Sequence, residues 1–574
     1  MEVPTLFNIA LEKCIAHYCN ASIAVNEKVS SKIRQILFNE LMNSSNPVHP
    51  SNFTIFLVEE ADLIYKDITE ADVCKLARCD MKKLKLNCSL RNYLSTKICG
   101  YNVVKLVRAC VNLQKRQNLE TLQLVASSWR YYDNWMHQIL RYLPNLQTLV
   151  CELPAETDFP TLSRTFYQLK SLNLSCDRLY DIKGLSFLIN LETLIIRNLT
   201  VSRQGDLHEL FELQSLKHLD VSRYKKRREG ECKIIEFMVE DKTQFLPKLE
   251  YIDCSYLHIT AVQLDKLLNQ NKRIQKICLF GTDCEDIGHI DGVTVLTSVD
   301  LGESLKLLQH FHEQEHFLMM DRVFEKIKQF FLDGVEYNEN QELLYTCFKT
   351  IVDHINNTTP AEALARNDVC SAIRCLVTYC TVYNENVTQP QRSQITRILV
   401  ESPTELFKCY WELFTCAELH TVPGLNITGY YQKVVSHLSA GLREDVWDER
   451  KVERVEELLN ALQAINELYP KLDEQSRRQI TGIPSVIPTF ELIFAECGES
   501  AELWNGHRPL NNVYHLFDLV CTALRNTISG WDSSPREYEC LHSTLLDVSR
   551  QIGDHPTMGN SLTGIIEMVR NRMH

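Results

Sequence analysis

One apolar pattern returns again and again along the first half of this chain, and it limits the possible folds more than any other feature. The frame is apolar-x-x-apolar-x-apolar. It is filled by Leu119, Leu122 and Leu124, then by Leu146, Leu149 and Cys151, then by Leu169, Leu172 and Leu174. It continues through Leu191, Leu194 and Ile196, then Leu216, Leu219 and Val221, then Leu249, Ile252 and Cys254, then Ile274, Ile277 and Leu279. A weaker last copy is Leu296, Val299 and Leu301, and Leu84 with Leu86 is a degenerate first one. Each copy predicts a short strand whose alternate side chains point inward. A helical return, such as Ala261 to Asn271, then covers the back. One unit cannot bury its own apolar side, so the units must stack. The wide gap from Leu216 to Leu249 holds Arg223 and the basic run Lys225-Lys226-Arg227-Arg228, which is expected to be a solvated loop inserted between units.

From about Ser304 the apolar period becomes helical, with Leu305, Leu308, Met319, Val323, Ile327 and Phe330 on one face of a segment at 305–332. Further helices are predicted at 341–357, 361–383, 392–416, 427–444, 448–469, 473–482, 486–497, 511–530, 538–552 and 561–572. The breakers between them are Pro360, Pro390, Pro403, Pro423, Pro470, Pro484, Pro535 and Pro556. A long series of short amphipathic helices reads as an armadillo- or HEAT-like array.

Composition removes several functions. A net charge of -13 argues against a nucleic-acid binder, because phosphate contacts need a concentrated basic surface. The start, Met1 to Leu6, has no basic region ahead of its first apolar stretch, and no apolar run is long enough to cross a bilayer. The 22 cysteines are scattered, as at Cys151, Cys254, Cys278 and Cys375, which suits buried thiols in a reducing compartment. A cytoplasmic or nuclear location is therefore expected, with no membrane and no nucleic acid among the partners. Phosphate loops and Gly-x-Ser-x-Gly elbows are absent, so no cofactor is expected.

One motif could carry chemistry. His312-Glu313-Gln314-Glu315-His316 matches the His-Glu-x-x-His helix of zinc proteases, in which two histidines one turn apart hold the metal and the glutamate activates water. It falls inside the predicted helix 305–332. No third histidine follows at the spacing of the extended motif, and the pattern is read as chance, with neither a metal site nor a catalytic residue assigned.

Ahead of the repeats, residues 1–45 predict two helices. Thr5 caps the first, which runs to about Tyr18 with Leu6, Ile9, Ala10, Cys14 and Ile15 on its apolar face. The second covers about 27–42 with Val29, Ile33, Leu37 and Leu41. The pair can cap the stacked repeats or dock a partner helix.

In this order of parts the chain resembles the Zyg-eleven/Zer family, substrate receptors of cullin-2 RING ubiquitin ligases. The segment Thr5-Leu6-Phe7-Asn8-Ile9-Ala10-Leu11-Glu12-Lys13-Cys14 is similar to the family's elongin-binding box. Thr5 and Leu6 match, Ala10 stands where the family has Cys, and Cys14 takes the final apolar position. Val25-Asn26-Glu27-Lys28-Val29 resembles the cullin-selecting segment, with Asn26 in place of Pro. Repeats such as Leu169 to Leu194 and Leu246 to Asp283 also resemble family repeats. The resemblance implies elongin C (with elongin B), cullin-2 with its RING subunit, and client proteins as partners. It also implies that the helical array grips a client's N-terminus. At the corresponding segment, Arg525 and Ser529 replace an aromatic and an acid around Asn526, and Glu567 falls in a second such segment that lacks its paired Asn. The receptor role carries over and the terminal-glycine specificity does not. The chain also ends several helices before a typical family member.

The expected architecture is an α/β leucine-rich-repeat solenoid, then an all-α armadillo/HEAT-like solenoid, behind a short N-terminal helical box. The boundaries are 1–45, 46–302 and 303–574. The expected role is a non-catalytic substrate receptor. A scaffold without the ligase contact, and less favourably a zinc protease, are the alternatives.

Overall fold

The computed structural model describes residues 30–43, 58–63, 76–87, 103–125, 134–151, 159–174, 182–199, 204–224, 234–240, 245–358, 366–401, 521–522, 525, 535–552 and 556–573. The chain divides into two compact units, Met1–His310 and Phe311–His574.

The first unit is a mixed α/β, solenoid-like stack. Its ten strands form one parallel sheet in strict sequence order. They are β1 (Glu60–Asp62), β2 (Lys83–Asn87), β3 (Thr121–Val125), β4 (Thr148–Cys151), β5 (Ser171–Leu174), β6 (Thr193–Ile195), β7 (His218–Asp220), β8 (Tyr251–Asp253), β9 (Lys276–Cys278) and β10 (Thr294–Leu296). From β3 to β9 every strand lies on a copy of the repeated frame, and the degenerate Leu84–Leu86 copy is a full strand. The two inward positions of each copy, from Leu122 and Leu124 through Ile277 and Leu279, are at most 1% exposed. Burying leucine-sized side chains contributes roughly 1.5–3 kcal/mol each, which is why stacking, not local propensity, holds such short strands. Backbone bonds run from unit to unit ahead of the strands, as from Lys170 N to Gln147 O at 2.8 Å and from Glu192 N to Lys170 O at 2.7 Å.

Helices and 3₁₀ turns close the back of the stack: α2 (Val103–Cys110), α3 (Trp135–Tyr142), α4 (Phe159–Thr165), α5 (Ile234–Glu240) and α6 (Ala261–Gln270). The expected return at Ala261 is present. It begins in a reciprocal cap in which Gln263 N donates to Thr260 Oγ1 and Thr260 N donates to Gln263 Oε1.

Two features of this unit differ from expectation. The last strand lies at Thr294–Leu296, with Val295 opposite Ile277, four residues before the position that the Leu296-Val299-Leu301 frame requires. Leu301 instead opens helix α7 (Leu301–Glu313). The three residues of the frame fall in different structures, Leu296 in the strand, Val299 in the bend after it and Leu301 in the helix, so the spacing alone did not mark one strand. The other difference is β1, whose sequence Glu-Ala-Asp carries no leucine signal.

In the N-terminal module, α1 (Ser31–Asn43) is described, and residues 1–29 lie outside the described residues. Leu37 is buried as expected, but Ile33 is 42% exposed and Phe38 takes the inner position. The helix seats against β1 through Gln35. Its Nε2 donates to Glu60 O at 2.8 Å, and its Oε1 accepts from Glu59 N and Glu60 N at 3.1 and 3.2 Å.

In the second unit, α8 (Phe317–Leu332), α9 (Gln341–Asn356), α10 (Asn367–Val382) and α11 (Gln389–Glu401) follow one another. The helix α10 packs on both α8 and α9. Phe331, Phe348, Tyr379 and Tyr383 form the shared aromatic core, with ring centroids 5.2–5.8 Å apart. Farther on, α12 (Pro535–Ile552) and α13 (Pro556–Met573) pack as a pair through Leu541, Leu545, Ile565 and Val569. Pro535 and Pro556, expected as breakers, are the first residues of these helices, where the missing N–H costs nothing. Pro390 likewise sits in the first turn of α11. The helices expected between 402 and 520 lie outside the described residues. Among the described residues no helix is long and apolar enough to cross a membrane.

Candidate functional site

The sheet has a second face, opposite the leucines, and its strand register builds two columns there. In one column Glu60, Lys83, Thr121, Thr148, Ser171, Thr193, His218, Tyr251, Lys276 and Thr294 follow in pairing order. In the other, Asp62, Lys85, Gln123, Val150, Asn173, Ile195, Asp220, Asp253, Cys278 and Leu296 do the same. The columns have three chemical zones. At β1 and β2 acids and lysines pair off, Lys83 with Glu60 at 2.8 Å and Lys85 with Asp62 at 3.3 Å. Across β3 to β6 all eight positions are uncharged, mostly hydroxyl and amide side chains. At β7 to β9 lies a buried ionic cluster.

Asp220 and Asp253 face each other across β7 and β8. Arg197, just beyond β6, donates from Nε to Asp220 Oδ2 at 2.7 Å, with both side chains under a tenth exposed. Burial alone would lower the basicity of Arg197, but the carboxylate of Asp220 more than offsets it, so the guanidinium stays charged. Asp220 Oδ1 accepts from Ser222 N at 3.0 Å. The same turn repeats one rung on, where Asp253 Oδ1 accepts from Ser255 N at 2.9 Å and Ser255 Oγ at 2.6 Å. Burial pushes the Asp253 carboxyl up to about 7, and the neighbouring Asp220 charge adds to the shift.

Helix α7 closes this zone with His310, which is 6% exposed. Its Nε2 lies 2.8 Å from Tyr251 Oη, and its Nδ1 lies 2.9 Å from Lys276 Nζ. Tyr251 Oη in turn donates to Asp253 Oδ2 at 3.3 Å. Sequence reading missed this cluster. Its only signal was an Asp at the same place in two successive copies, Leu219-Asp220-Val221 and Ile252-Asp253-Cys254. Cys254 and Cys278 are buried beside it, and burial pushes both thiols well up, as expected of packing residues.

The sequence-predicted sites fare differently. Thr5, Leu6, Ile9, Ala10, Cys14, Val25, Val29, Asn526 and Ser529 lie outside the described residues, as does the basic run at 225–228. Arg525 and Glu567 are both exposed on helices. Arg223, beside the basic run, is not part of a solvated loop: it is buried, with Nη2 donating to Leu199 O at 2.9 Å.

The expected helix 305–332 is broken within the His-Glu-x-x-His motif. Helix α7 ends at Glu313, Glu315 takes a left-handed φ of 50°, and His316 precedes α8. His312 is exposed and stands 6.2 Å from the ring of His354, whereas His316 is buried and 5.4 Å from the ring of Phe311. The two imidazoles are therefore not stacked one turn apart on one helix, as the zinc motif requires. Among the described residues no group of three His, Cys, Asp or Glu side chains is placed to hold a metal ion. The neighbouring buried charges are structural in kind. Asp368 accepts from Arg366 Nη2 at 2.7 Å and lies 2.9 Å from His354 Nε2, and the Arg366 guanidinium lies 3.5 Å from the centre of the Phe317 ring.

In-order parallel strands, one per repeat, with a face that is uncharged across β3 to β6 and a capped edge at β1, define a solenoid-like α/β repeat protein. No family model matches the chain. It is similar to Gastrulation-defective protein 3 of Caenorhabditis elegans, 26% identical over 357 residues that cover 60% of this chain. The matched stretch is 50% of that relative, so the chain spans about half the length of the curated relative it matches.

Proposed function

We propose that this chain is the substrate-recognition subunit of a cullin-2 RING ubiquitin ligase, bound through elongin C and elongin B. The observation that supports a binding role is the unbroken register of ten strands. It gives one continuous surface, eight positions of which across β3 to β6 carry no charge. The ligase assignment rests on the resemblance of Thr5 to Cys14 and Val25 to Val29 to the family's elongin and cullin segments. In this reading the helices from Leu301 onward are an armadillo-like array that presents the client, with Arg525, Asn526, Ser529 and Glu567 near its terminus. Ubiquitin transfer belongs to the RING subunit, and this chain supplies proximity without chemistry of its own. It works in the cytoplasm or nucleus.

Co-purification tests the proposal. The full chain should retain elongin C and cullin-2, and Leu6→Ala should release both while the melting temperature stays within a degree or two of the wild type. Absence of elongin C from the wild-type purification would favour the ligase-independent scaffold, which the departures at Ala10 and Asn26 suggest. Proteins that accumulate on depletion of the chain would identify the clients.

A further inference from the structure

We infer that the returns leading into β3, β4, β5 and β6 form a cationic ledge that docks an acidic segment of a protein partner, one that carries apolar side chains among its carboxylates. The inference does not depend on the ligase assignment.

The charge pattern of these returns departs from that of the chain. Acids outnumber bases overall, 74 to 61. The described residues of the four returns, 103–118, 134–147, 159–170 and 182–190, reverse the balance, with eight Lys or Arg and no Asp or Glu. In-order stacking sets the returns side by side: α2 packs on α3, α3 on α4, and α4 on the 3₁₀ turn Leu185–Phe187. Arg108, Arg141 and Arg164 lie in the last turns of α2, α3 and α4, where the helix dipole favours a cation. The dipole accounts for neither Lys115 and Arg116, which lie beyond α2, nor the lack of acids.

Two aromatic rings hold the guanidiniums in place. Arg108 and Arg116 both approach the ring of Tyr142, at 5.7 and 5.6 Å from its centre, and Arg164 lies 5.0 Å from the centre of the Phe187 ring. Tyr142 is itself fixed, its Oη donating to Val111 O at 2.5 Å. One ring thus gathers two like charges, and among the described residues none of Arg108, Arg116, Arg141 and Arg164 forms an ion pair. Stacking leaves the N–H edge of a guanidinium open, and a carboxylate takes that edge as a planar pair of acceptors. The loops are also tied to one another. Arg116 Nη1 donates to Arg141 O at 3.3 Å, Asn145 Nδ2 to Gln117 O at 2.9 Å and Gln168 Nε2 to Pro144 O at 2.5 Å. An occupant therefore meets a surface that needs little ordering.

The same loops carry exposed apolar side chains: Leu113, Tyr167, Phe187 and Ile189 are 45–63% exposed. Cations interleaved with apolar groups match a polypeptide that has both carboxylates and apolar residues. A nucleic acid would use the cations and leave the apolar groups in water, and guanidiniums already occupy the rings on which its bases would stack. Neighbouring returns lie between the ~5 Å of paired strands and the ~10 Å of packed helices, so three steps span roughly 15–30 Å. An extended segment of roughly five to nine residues covers that length.

Fluorescence anisotropy on the full chain tests the ledge, with a labelled synthetic peptide of about nine residues that alternates Glu with Leu and Phe. The wild type should bind it about tenfold more tightly than the same peptide with Gln for Glu, or with Ser for Leu and Phe. Combining Arg108→Gln, Arg141→Gln and Arg164→Gln should weaken binding about tenfold. Tyr167→Ser with Ile189→Ser should also weaken it, and circular dichroism should show both variants folded. Lys248→Gln, Lys272→Gln and Arg273→Gln together make the same change in net charge at exposed cations ahead of β8 and β9, and should leave the affinity as it is. Equal weakening by the two triple variants would reduce the effect to net charge and overturn the inference, as would equal binding of the Glu and Gln peptides. Tighter, ledge-dependent binding of polyuridylate or of phosphatidylserine vesicles than of the peptide would overturn the assignment of a protein partner.

Discussion

The side-chain amide of Gln35 pairs with the backbone of Glu60 as a neighbouring strand would, giving one hydrogen to Glu60 O and taking one from Glu60 N. The sheet's first edge is thereby closed by a helix, the usual remedy for a strand that would otherwise recruit another chain. Gln35→Ala is expected to destabilise the first unit by about 0.5–1.5 kcal/mol, because it removes the bonds to the backbone of Glu59 and Glu60 at an exposed edge, where water takes over part of their role. The amides of residues 59–61 should exchange faster and the protein should self-associate more at high concentration. An unchanged sedimentation profile together with unchanged exchange would contradict the edge-closing role.

Core and rim leucine-type positions should behave in opposite ways. Leu172 is fully buried in the stack, and Ile189, on the rim between β5 and β6, is 61% exposed. Leu172→Ala should cost about 2–5 kcal/mol by the lost burial and the cavity it leaves. Ile189→Ala should stay within about 0.5 kcal/mol. Urea melts of the two variants would show whether the inward positions carry the stability, and equal losses would count against it.

Asp253 gives the first unit an unusual pH dependence. Its folded value, about 7, lies above the ordinary carboxylate value, so the folded form holds a proton that the unfolded form has released. Stability from this group is full below about pH 4 and is lost as pH rises through about 7. The melting temperature should fall between pH 5 and pH 8, and Asp253→Asn should flatten that fall. A steeper fall in the variant would sink the assignment.

Asp368 in the second unit has the opposite sign. Burial alone would raise its carboxyl, but the hydrogen bonds from His354 and Arg366 outweigh burial and hold it below the usual range. Its contribution is present above the unfolded value, about 3.9, and disappears as pH falls through the lower folded value. Asp368→Asn should therefore destabilise at pH 7, by about 3–5 kcal/mol for a broken buried pair, and should remove the acid-limb loss seen in the wild type. Thermal melts from pH 2 to pH 7 would distinguish the two curves.

The broken helix at Glu315 makes a further prediction for metal content. Protein purified and dialysed against a weak chelator should carry well under one zinc per chain, and His312→Ala should leave that amount unchanged. Stoichiometric zinc that disappears in the variant would restore the protease reading.

The stack was legible because burial in a repeat protein is periodic: each inward leucine answers to the one before it, so Leu122 and Leu149 announce the same place. Where that periodicity lapsed, so did the reading. Strand β1 has one inward residue, Ala61, and depends on Gln35 from a helix rather than on its own sequence. The Leu296 copy fitted the frame while its residues straddled the end of β10, a bend and the start of α7. The ionic cluster was hidden for another reason. Its members come from four successive rungs and a helix, at positions where the repeat tolerates any residue. Pairing across rungs leaves no pattern within one. The left-handed Glu315, likewise, is an outcome of how α7 and α8 end and begin, and no propensity of Gln314-Glu315 foretold it.

Asp220 and Asp253 are 33 positions apart in sequence, against 22 for Asn173 and Ile195, yet each pair sits directly opposite in the sheet. Distance along the sheet is thus counted in rungs and is indifferent to how much chain each rung consumes. The rung that follows β7 spends eleven residues more than the rung that follows β5, and no later strand is moved out of step by them.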